Sequence, residues 1–296
     1  MRILQFGRTG QLARELLNRA PHHDVQILAL GRGEADLTDP VSVERAVRAH
    51  ADVDIVVNAA AYTAVDQAEA DETTARLVNA ESPAAMARAC ADLGLPLLHV
   101  STDYVFDGES NEAYAEDAHV APIGAYGRTK AAGEAGIRAA LEQHVIVRTA
   151  WVYSAHGKNF VKTMLRLGGE RPELRVVDDQ RGCPTAAGDL ADAILTIAEA
   201  IAAGRGRWGT YHFVNSGETT WRRFAEAIFE QSRPWTTSAP RVVPITTADF
   251  PTPAKRPRNS ALKTDAVQRD YGIEPRPWPA ALDDVLRSIH GGSAAS

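Results

Sequence analysis

The chain has 296 residues, 45% of them hydrophobic and 24% charged, and a formal net charge of -6 at pH 7. That length suits one large α/β domain or a nucleotide-binding domain with a smaller partner, and the acidic balance offers no basic footprint for nucleic acid or an anionic membrane. No apolar run approaches the roughly 18 residues of a membrane span, the opening MRILQF is too short for a signal peptide, and two cysteines, Cys90 and Cys183, suit a reducing cytoplasm, so a small-molecule substrate is the default expectation.

In chain order, the first two-thirds alternates short Val/Ile/Leu-rich runs with longer helical patterns, as a mainly parallel sheet flanked by helices does. A strand over 3–6 runs into a glycine turn and a helix over 11–19. A strand over 25–30 precedes a helix over 41–50 opened by Asp39-Pro40. Strand 55–58, helix 83–93, strand 97–101, helix 126–141 and strand 145–148 continue the alternation. A sixth strand is read at 174–177, and all six are apolar enough to be buried on both faces. A helix over 190–203 ends at Gly204, a C-cap residue.

Beyond about residue 205 the character changes. A strand-like YHFVNS, a helix opened by threonine in TTWRRFAEAIFEQ, a strand RVVPIT, a proline-rich stretch over 250–257 and a last helix over 280–290 precede GGSAAS. The expected fold is α/β, a Rossmann-like doubly wound parallel sheet with a smaller C-terminal α/β substrate-binding lobe. Residues 1–150, completed by 174–205, are expected to form the cofactor domain, 151–173 and 206–290 the lobe, and 291–296 a frayed tail.

Three motifs carry chemistry. The first strand enters Gly7-x-x-Gly10-x-x-Ala13 and then an amphipathic helix, so the turn bends sharply and free N–H groups at a helix start face a pyrophosphate. The second strand ends in Gly31-Arg32-Gly33, with no carboxylate until Glu34. Arg32 can pair with a 2′-phosphate, which favours NADPH with NADH as the alternative; a solvated loop charge is the other reading. Asp36 and Leu37 follow and face the adenine. Asn58 to Thr63, reading NAAAYT, and Ser101 to Phe106, reading STDYVF, then put small or hydroxylated residues at strand ends, where open α/β sheets bind ligands. For Thr102 alone, a turn or capping role competes with carbonyl polarisation.

Tyr126 and Lys130, in AYGRTKAAGE, lie one helical turn apart. A lysine ammonium there favours the phenolate and pulls the tyrosine toward working pH, which suits a proton donor to a carbonyl. The small neighbours Gly127, Ala131 and Ala132 read as clearance for a nicotinamide. The nine histidines show no metal-ligand spacing, and no metal ligand is assigned.

Taken together, GxxGxxA, NAAAYTAVD, STDYVFDG and YGRTK resemble the extended short-chain dehydrogenase/reductase superfamily. With RTAWVYSAHGKNFVKTML, DDQRGCPT and FPTPAKRPRNSALKT, they look closest to its dTDP-4-dehydrorhamnose reductases. The resemblance implies NADPH-dependent reduction of the C4 ketone of dTDP-4-dehydro-L-rhamnose. It implies Tyr126 as proton donor, Lys130 as its tuner and ribose ligand, and Thr102 as the carbonyl-orienting hydroxyl. Cofactor contacts would come from Gly7, Gly10, Gln11, Leu12, Arg32, Asp36, Leu37, Ala60, Ala61 and Thr63. Asp103, Trp151 and Arg256 would face the substrate, with Lys255 and Arg258 near its diphosphate. Some members resemble Mg2+-bridged homodimers; Glu15 matches one ligand position, but Gly188 stands where a second carboxylate is expected, which counts against the metal. Two other readings stay open: a nucleotide-sugar epimerase or dehydratase of the same superfamily, and a non-catalytic subunit resembling the methionine adenosyltransferase β-subunit.

Overall fold

The computed structural model describes residues 1–237 and 240–291. Strand β1 (Arg2–Phe6) turns through Gly7 into α1 (Gln11–Arg19), followed by β2 (Gln26–Leu30), α2 (Pro40–Ala49) and β3 (Ile55–Asn58). Helix α2 is opened by the Asp39 carboxylate, which accepts the Val41 N–H at 3.0 Å. Next come α3 (Val65–Ala68) and α4 (Glu72–Arg76), which continues through a π-helical turn, Leu77–Glu81, into α5 (Ser82–Leu93). Then follow β4 (Leu97–Thr102), α6 (Ala125–Ala140) and β5 (His144–Thr149).

The remainder comprises β6 (Val152–Tyr153), α7 (Phe160–Glu170), β7 (Glu173–Val177), β8 (Arg181–Gly182), β9 (Thr185–Ala186) and α8 (Ala187–Ala202). After these come β10 (Gly209–His212), β11 (Thr219–Thr220), α9 (Trp221–Ser232), β12 (Arg241–Ile245), α10 (Asp265–Tyr271) and α11 (Trp278–Gly291). Residue 291 closes α11, and the rest of the expected frayed tail lies outside the described residues. Among the described residues no helix is long and apolar enough to cross a membrane.

Six strands form one parallel sheet in the order β10-β5-β4-β3-β1-β2. Leu12 and Leu16 of α1 with Leu190, Ile194 and Ile197 of α8 cover one face. Val43 and Val47 of α2, Met86 and Cys90 of α5 and Ile137 of α6 cover the other. Each fully buried aliphatic side chain contributes about 1.5–3 kcal/mol. The chain goes from β1 to β2 on one side and then crosses back past β1 to β3 on the other, so a crevice opens at the carboxyl ends of β1 and β3.

The sixth strand is not the one expected. Residues 174–177 lie in β7, which pairs with β12 in a separate two-stranded sheet, while β10, from the stretch assigned to the lobe, adds to β5. Strand β7 alternates exposed and buried residues, whereas β3 is buried throughout, so only β3 has the two-sided cover of a central strand. The apolar residues of β7 pack instead with Phe224, Ile228, Leu282 and Leu286 of α9 and α11. Helices α3, α4, α7 and α10 also went unread. Two of these start on side-chain caps: Asp71 accepts the Thr74 N–H at 3.1 Å and Asn159 the Lys162 N–H at 3.0 Å.

The small residues of α6 serve packing. A Cβ on Gly127 would collide with the carbonyl oxygen of Tyr104, and one on Gly133 with that of Asn79, while Ala131 packs on the cluster of Phe106, Tyr114 and Leu262. None of Gly127, Ala131 and Ala132 lines the cleft, so the clearance read for a nicotinamide is clearance for the chain itself. Helix propensity alone would make Gly127→Ala stabilising by about 1 kcal/mol. Because of the Tyr104 contact we expect a loss of about 1–3 kcal/mol in urea unfolding, and an equal or higher stability would contradict this packing.

Candidate active site

The carboxyl ends of the parallel strands line a cleft of about 990 Å³. Gly7 sits at φ +102°, the left-handed side that glycine tolerates, and a Cβ there would lie 3.3 Å from Ala60 Cβ. Helix α1 begins at Gly10 with no side-chain cap and no acidic residue in its first turn, and nothing lies within 4 Å of where a Gly10 Cβ would be. These are the features of an anion seat: open backbone N–H groups at a positive dipole end. Gln11 holds the opposite wall, its Oε1 accepting from Asn159 Nδ2 at 2.8 Å and Ser154 Oγ at 3.2 Å.

Every residue expected to touch cofactor lines this cleft: Gly7, Gly10, Gln11, Leu12, Arg32, Asp36, Leu37, Ala60, Ala61 and Thr63, with Tyr126 and Lys130. Thr102, Asp103 and Trp151 line it too; Arg256 does not. The Arg256 Nη2 pairs with Asp66 at 2.9 Å, and its buried Nη1 has no hydrogen-bond partner among the described residues. Lys255 and Arg258 are exposed. Arg8 and Lys158 also line the cleft and were missed. Arg8 donates to Glu34 at 2.7 Å and to the Ala29 carbonyl, so the first variable position of the glycine turn was the available cue.

The floor is built where β4 ends. Thr102 Oγ1 accepts the Tyr104 N–H at 3.2 Å, the expected turn role, and donates to Asp103 Oδ1 at 2.9 Å. The same hydroxyl draws the Tyr126 phenol down, and the Tyr126 ring meets Tyr104 edge-on at 5.5 Å. Helix α6 brings Tyr126 here because its first N–H, on Ala125, is held by Glu69 Oε1 at 2.8 Å.

Lys130 is 1% exposed, and its Nζ lies 2.6 Å from the Val100 carbonyl oxygen and 3.1 Å from His99 Nε2. Burial pushes the Tyr126 phenol up to about 12, offset in part by the Thr102 hydroxyl and reinforced by the nearby Asp103 carboxylate. Burial likewise lowers Lys130 to about 8, against the opposing pull of Glu134.

Trp151 has a left-handed backbone, φ +49°, strained for a bulky residue. Its indole stacks on Trp221 at 3.5 Å and 10°, and a Cβ on Gly182 would collide with the ring. It is a half-buried wall of the cleft rather than a fully buried strand end.

The residues at the doubtful Mg2+ position do not fit a bridging metal. Glu15 lies 3.8 Å from the guanidinium of Arg19, which covers Gly188 and pairs with Asp192, so a cation is already fixed where a bridging metal would need carboxylates. Among the described residues no group of three His, Cys, Asp or Glu is placed to hold a metal ion.

A family model described as the RmlD substrate binding domain matches residues 1–290. The chain belongs to that family. The dTDP-4-dehydrorhamnose reductase of Sinorhizobium fredii is 44% identical over 94% of this chain and 94% of its own. Among solved structures, a dTDP-4-dehydrorhamnose reductase from Clostridium acetobutylicum has a TM-score of 0.90 at 36% identity, with 98% of this chain and 99% of that one covered. Another from Bacillus anthracis, in complex with NADP, has a TM-score of 0.89 at 35% identity, with 97% and 99% covered. For the RmlD-family chain described here, the likeness therefore runs through both the parallel sheet and the C-terminal elements.

Asp103 supplies a test of the floor. The carboxyl is 3% exposed, Oδ2 has no hydrogen-bond partner of good geometry, and burial pushes it up to about 6 against the pull of the Ser260 and Thr102 hydroxyls. A carboxyl with a folded pKa above its unfolded value of about 3.9 favours folding when protonated, so stability falls as pH rises from about 4 through about 6, by on the order of 2–3 kcal/mol. Asp103→Asn should flatten that slope in unfolding measured at several pH values, and an unchanged slope would place the titration elsewhere.

Proposed function

We propose that the chain reduces the C4 ketone of dTDP-4-dehydro-L-rhamnose to dTDP-L-rhamnose with NADPH. The observation that carries the reading is the meeting of Tyr126 and Thr102 in the lining of the same cleft that holds the open glycine turn. The dinucleotide supplies, when bound, the hydride for the ketone carbon. The chain's own groups do the rest.

Gly7, Gly10 and the start of α1 take the pyrophosphate, with Gln11 and the buried Leu12 closing the turn behind it. Ala60, Ala61 and Thr63 border the ribose on the β3 side, and Asp36 and Leu37 face the adenine. Arg32, exposed at the end of β2, meets the 2′-phosphate, with the guanidinium of Arg8 beside it. Tyr126 is a neutral phenol and so carries the proton that the C4 oxygen needs. The Thr102 hydroxyl orients that oxygen, and Lys130 reaches the ribose from beneath. The Asp103 carboxyl in the cleft lining takes a sugar hydroxyl, and Trp151 borders the sugar or base. Arg256, outside the cleft lining but with an unpartnered nitrogen, reaches the diphosphate as the C-terminal elements close on it.

The same residues divide the labour along the chain. We assign the cofactor to the six-stranded sheet with α1 and α8, and the dTDP-sugar to the elements around α7, α9 and the 250–262 stretch. Tyr126→Phe should keep NADPH binding while lowering turnover of the dTDP-4-keto sugar by roughly 10²- to 10⁴-fold, the usual weight of a general acid. Turnover near that of the unaltered protein would remove Tyr126 from the proton-donor role.

A further inference from the structure

Among the described residues four Lys and Arg side chains line the cleft, Arg8, Arg32, Lys130 and Lys158, and the first three already have places in it. Arg8 pairs with Glu34 at 2.7 Å and donates to the Ala29 carbonyl, on the β2 side where Arg32 also stands. Lys130 is buried at the floor against the Val100 carbonyl. Lys158 is exposed, and neither the sequence motifs nor the proposed reaction uses it. Among the described residues it has no hydrogen-bond or ion-pair partner.

The loop that carries Lys158 is tied to the start of α1 by the residues on either side of it. A Cβ on Gly157 would lie 3.4 Å from Gln11 Cγ, and Asn159 Nδ2 donates to Gln11 Oε1 at 2.8 Å. The loop is also braced within itself: Asn159 Nδ2 donates to the Ser154 carbonyl at 2.7 Å, and the buried Ser154 hydroxyl accepts the His156 N–H at 3.0 Å. Asn159 Oδ1 then opens α7 by accepting the Lys162 N–H. The base of Lys158 is therefore fixed beside Gln11, the first residue of α1, while its flexible four-carbon stem is left to place the ammonium.

Charge balance decides what such an ammonium meets. Both phosphates of a dinucleotide's pyrophosphate are anionic, whereas the start of α1 offers backbone N–H groups and only about half a positive charge from its dipole. The cation within the glycine turn, Arg8, is drawn off to Glu34. Lys158 borders the same helix start from the turn before α7, with its charge unspent.

We propose that Lys158 is a further binding residue for the dinucleotide, its ammonium meeting the pyrophosphate from the 154–159 loop. The seat is then two-sided, with backbone N–H groups of α1 on one side and a side-chain cation on the other. This role rests on the dinucleotide reading of the cleft proposed above. It separates Lys158 from Arg32 and Arg8: those face a 2′-phosphate that only NADPH carries, whereas the pyrophosphate is common to NADPH, NADH and ADP-ribose. The nucleotide sugar also carries a diphosphate, so dTDP belongs in the test.

The test is isothermal titration calorimetry on the full chain without the keto sugar, comparing the unaltered protein with Lys158→Met and Lys158→Arg. Lys158→Met removes the charge and keeps most of the stem. It should weaken NADPH, NADH and ADP-ribose by one common factor, roughly 5- to 30-fold for a single charge-assisted contact at an exposed position. Binding of dTDP should not change, the rise of the NADPH Kd with added salt should flatten, and Lys158→Arg should recover most of the affinity. An unchanged NADPH affinity in Lys158→Met, a loss confined to NADPH, or a loss for dTDP in place of the dinucleotides would overturn the inference. A protein that binds the dinucleotide through Lys158 yet reduces no sugar upholds this contact and overturns the proposed reaction, and one that binds no dinucleotide overturns both.

Discussion

Helix α6 carries both the phenol and the amine of the cleft, and one buried carboxylate sets where that helix lies. Glu134 is fully buried and takes Arg148 of β5 through two hydrogen bonds, at 2.9 and 2.7 Å, while Ser101 of β4 donates to it at 2.6 Å. Burial pushes this carboxyl up, but the Arg148 guanidinium outweighs burial and holds it below the usual range. Removing one partner of such a pair leaves a stranded charge at a cost of about 3–5 kcal/mol, so the pair fixes the register of α6 against β4 and β5 more firmly than apolar contact alone. Tyr126 and Lys130, two turns and one turn before Glu134, are placed by that register.

From this anchor the rest of the site follows as geometry. A sheet covered by helices on both faces needs crossover connections, and in a parallel sheet these return every strand in one direction. The glycine turn after β1, the small residues after β3 and the Thr102–Asp103 turn after β4 therefore share one rim. The smaller elements close that rim from the far side through Trp151, which joins the sheet's last turn to the aromatic cluster of Trp221, Phe160 and Phe224. Its strained backbone marks where the chain leaves one layer for the other.

Much of this was legible because its signals are local. The turn from Gly7 to Gly10, the i,i+4 spacing of Tyr126 and Lys130, and Thr102 at a strand end need only a few residues each, and the cleft gathers them. What failed depended on distant partners. Residues 174–177 read as a central strand because Val and Leu do not say whether one face or two will be covered; the pairing with β12 decides that. Gly127 and Ala131 were credited to the ligand because sequence cannot show the Tyr104 carbonyl and the Phe106 cluster that fill their space. The contacts of Lys130 with His99 and Val100, on strand β4, could not be read from spacing along its own helix.

The account's central claim is that a nicotinamide seated on this cleft delivers to the C4 carbon of a dTDP-4-keto sugar. NADPH deuterated on the transferring face of its nicotinamide, incubated with the protein and dTDP-4-dehydro-L-rhamnose, tests it most directly. The predicted result is dTDP-L-rhamnose with deuterium at C4 of the hexose, formed in step with NADPH oxidation. Product formed without deuterium at C4, or no NADPH oxidation with this substrate, would contradict it.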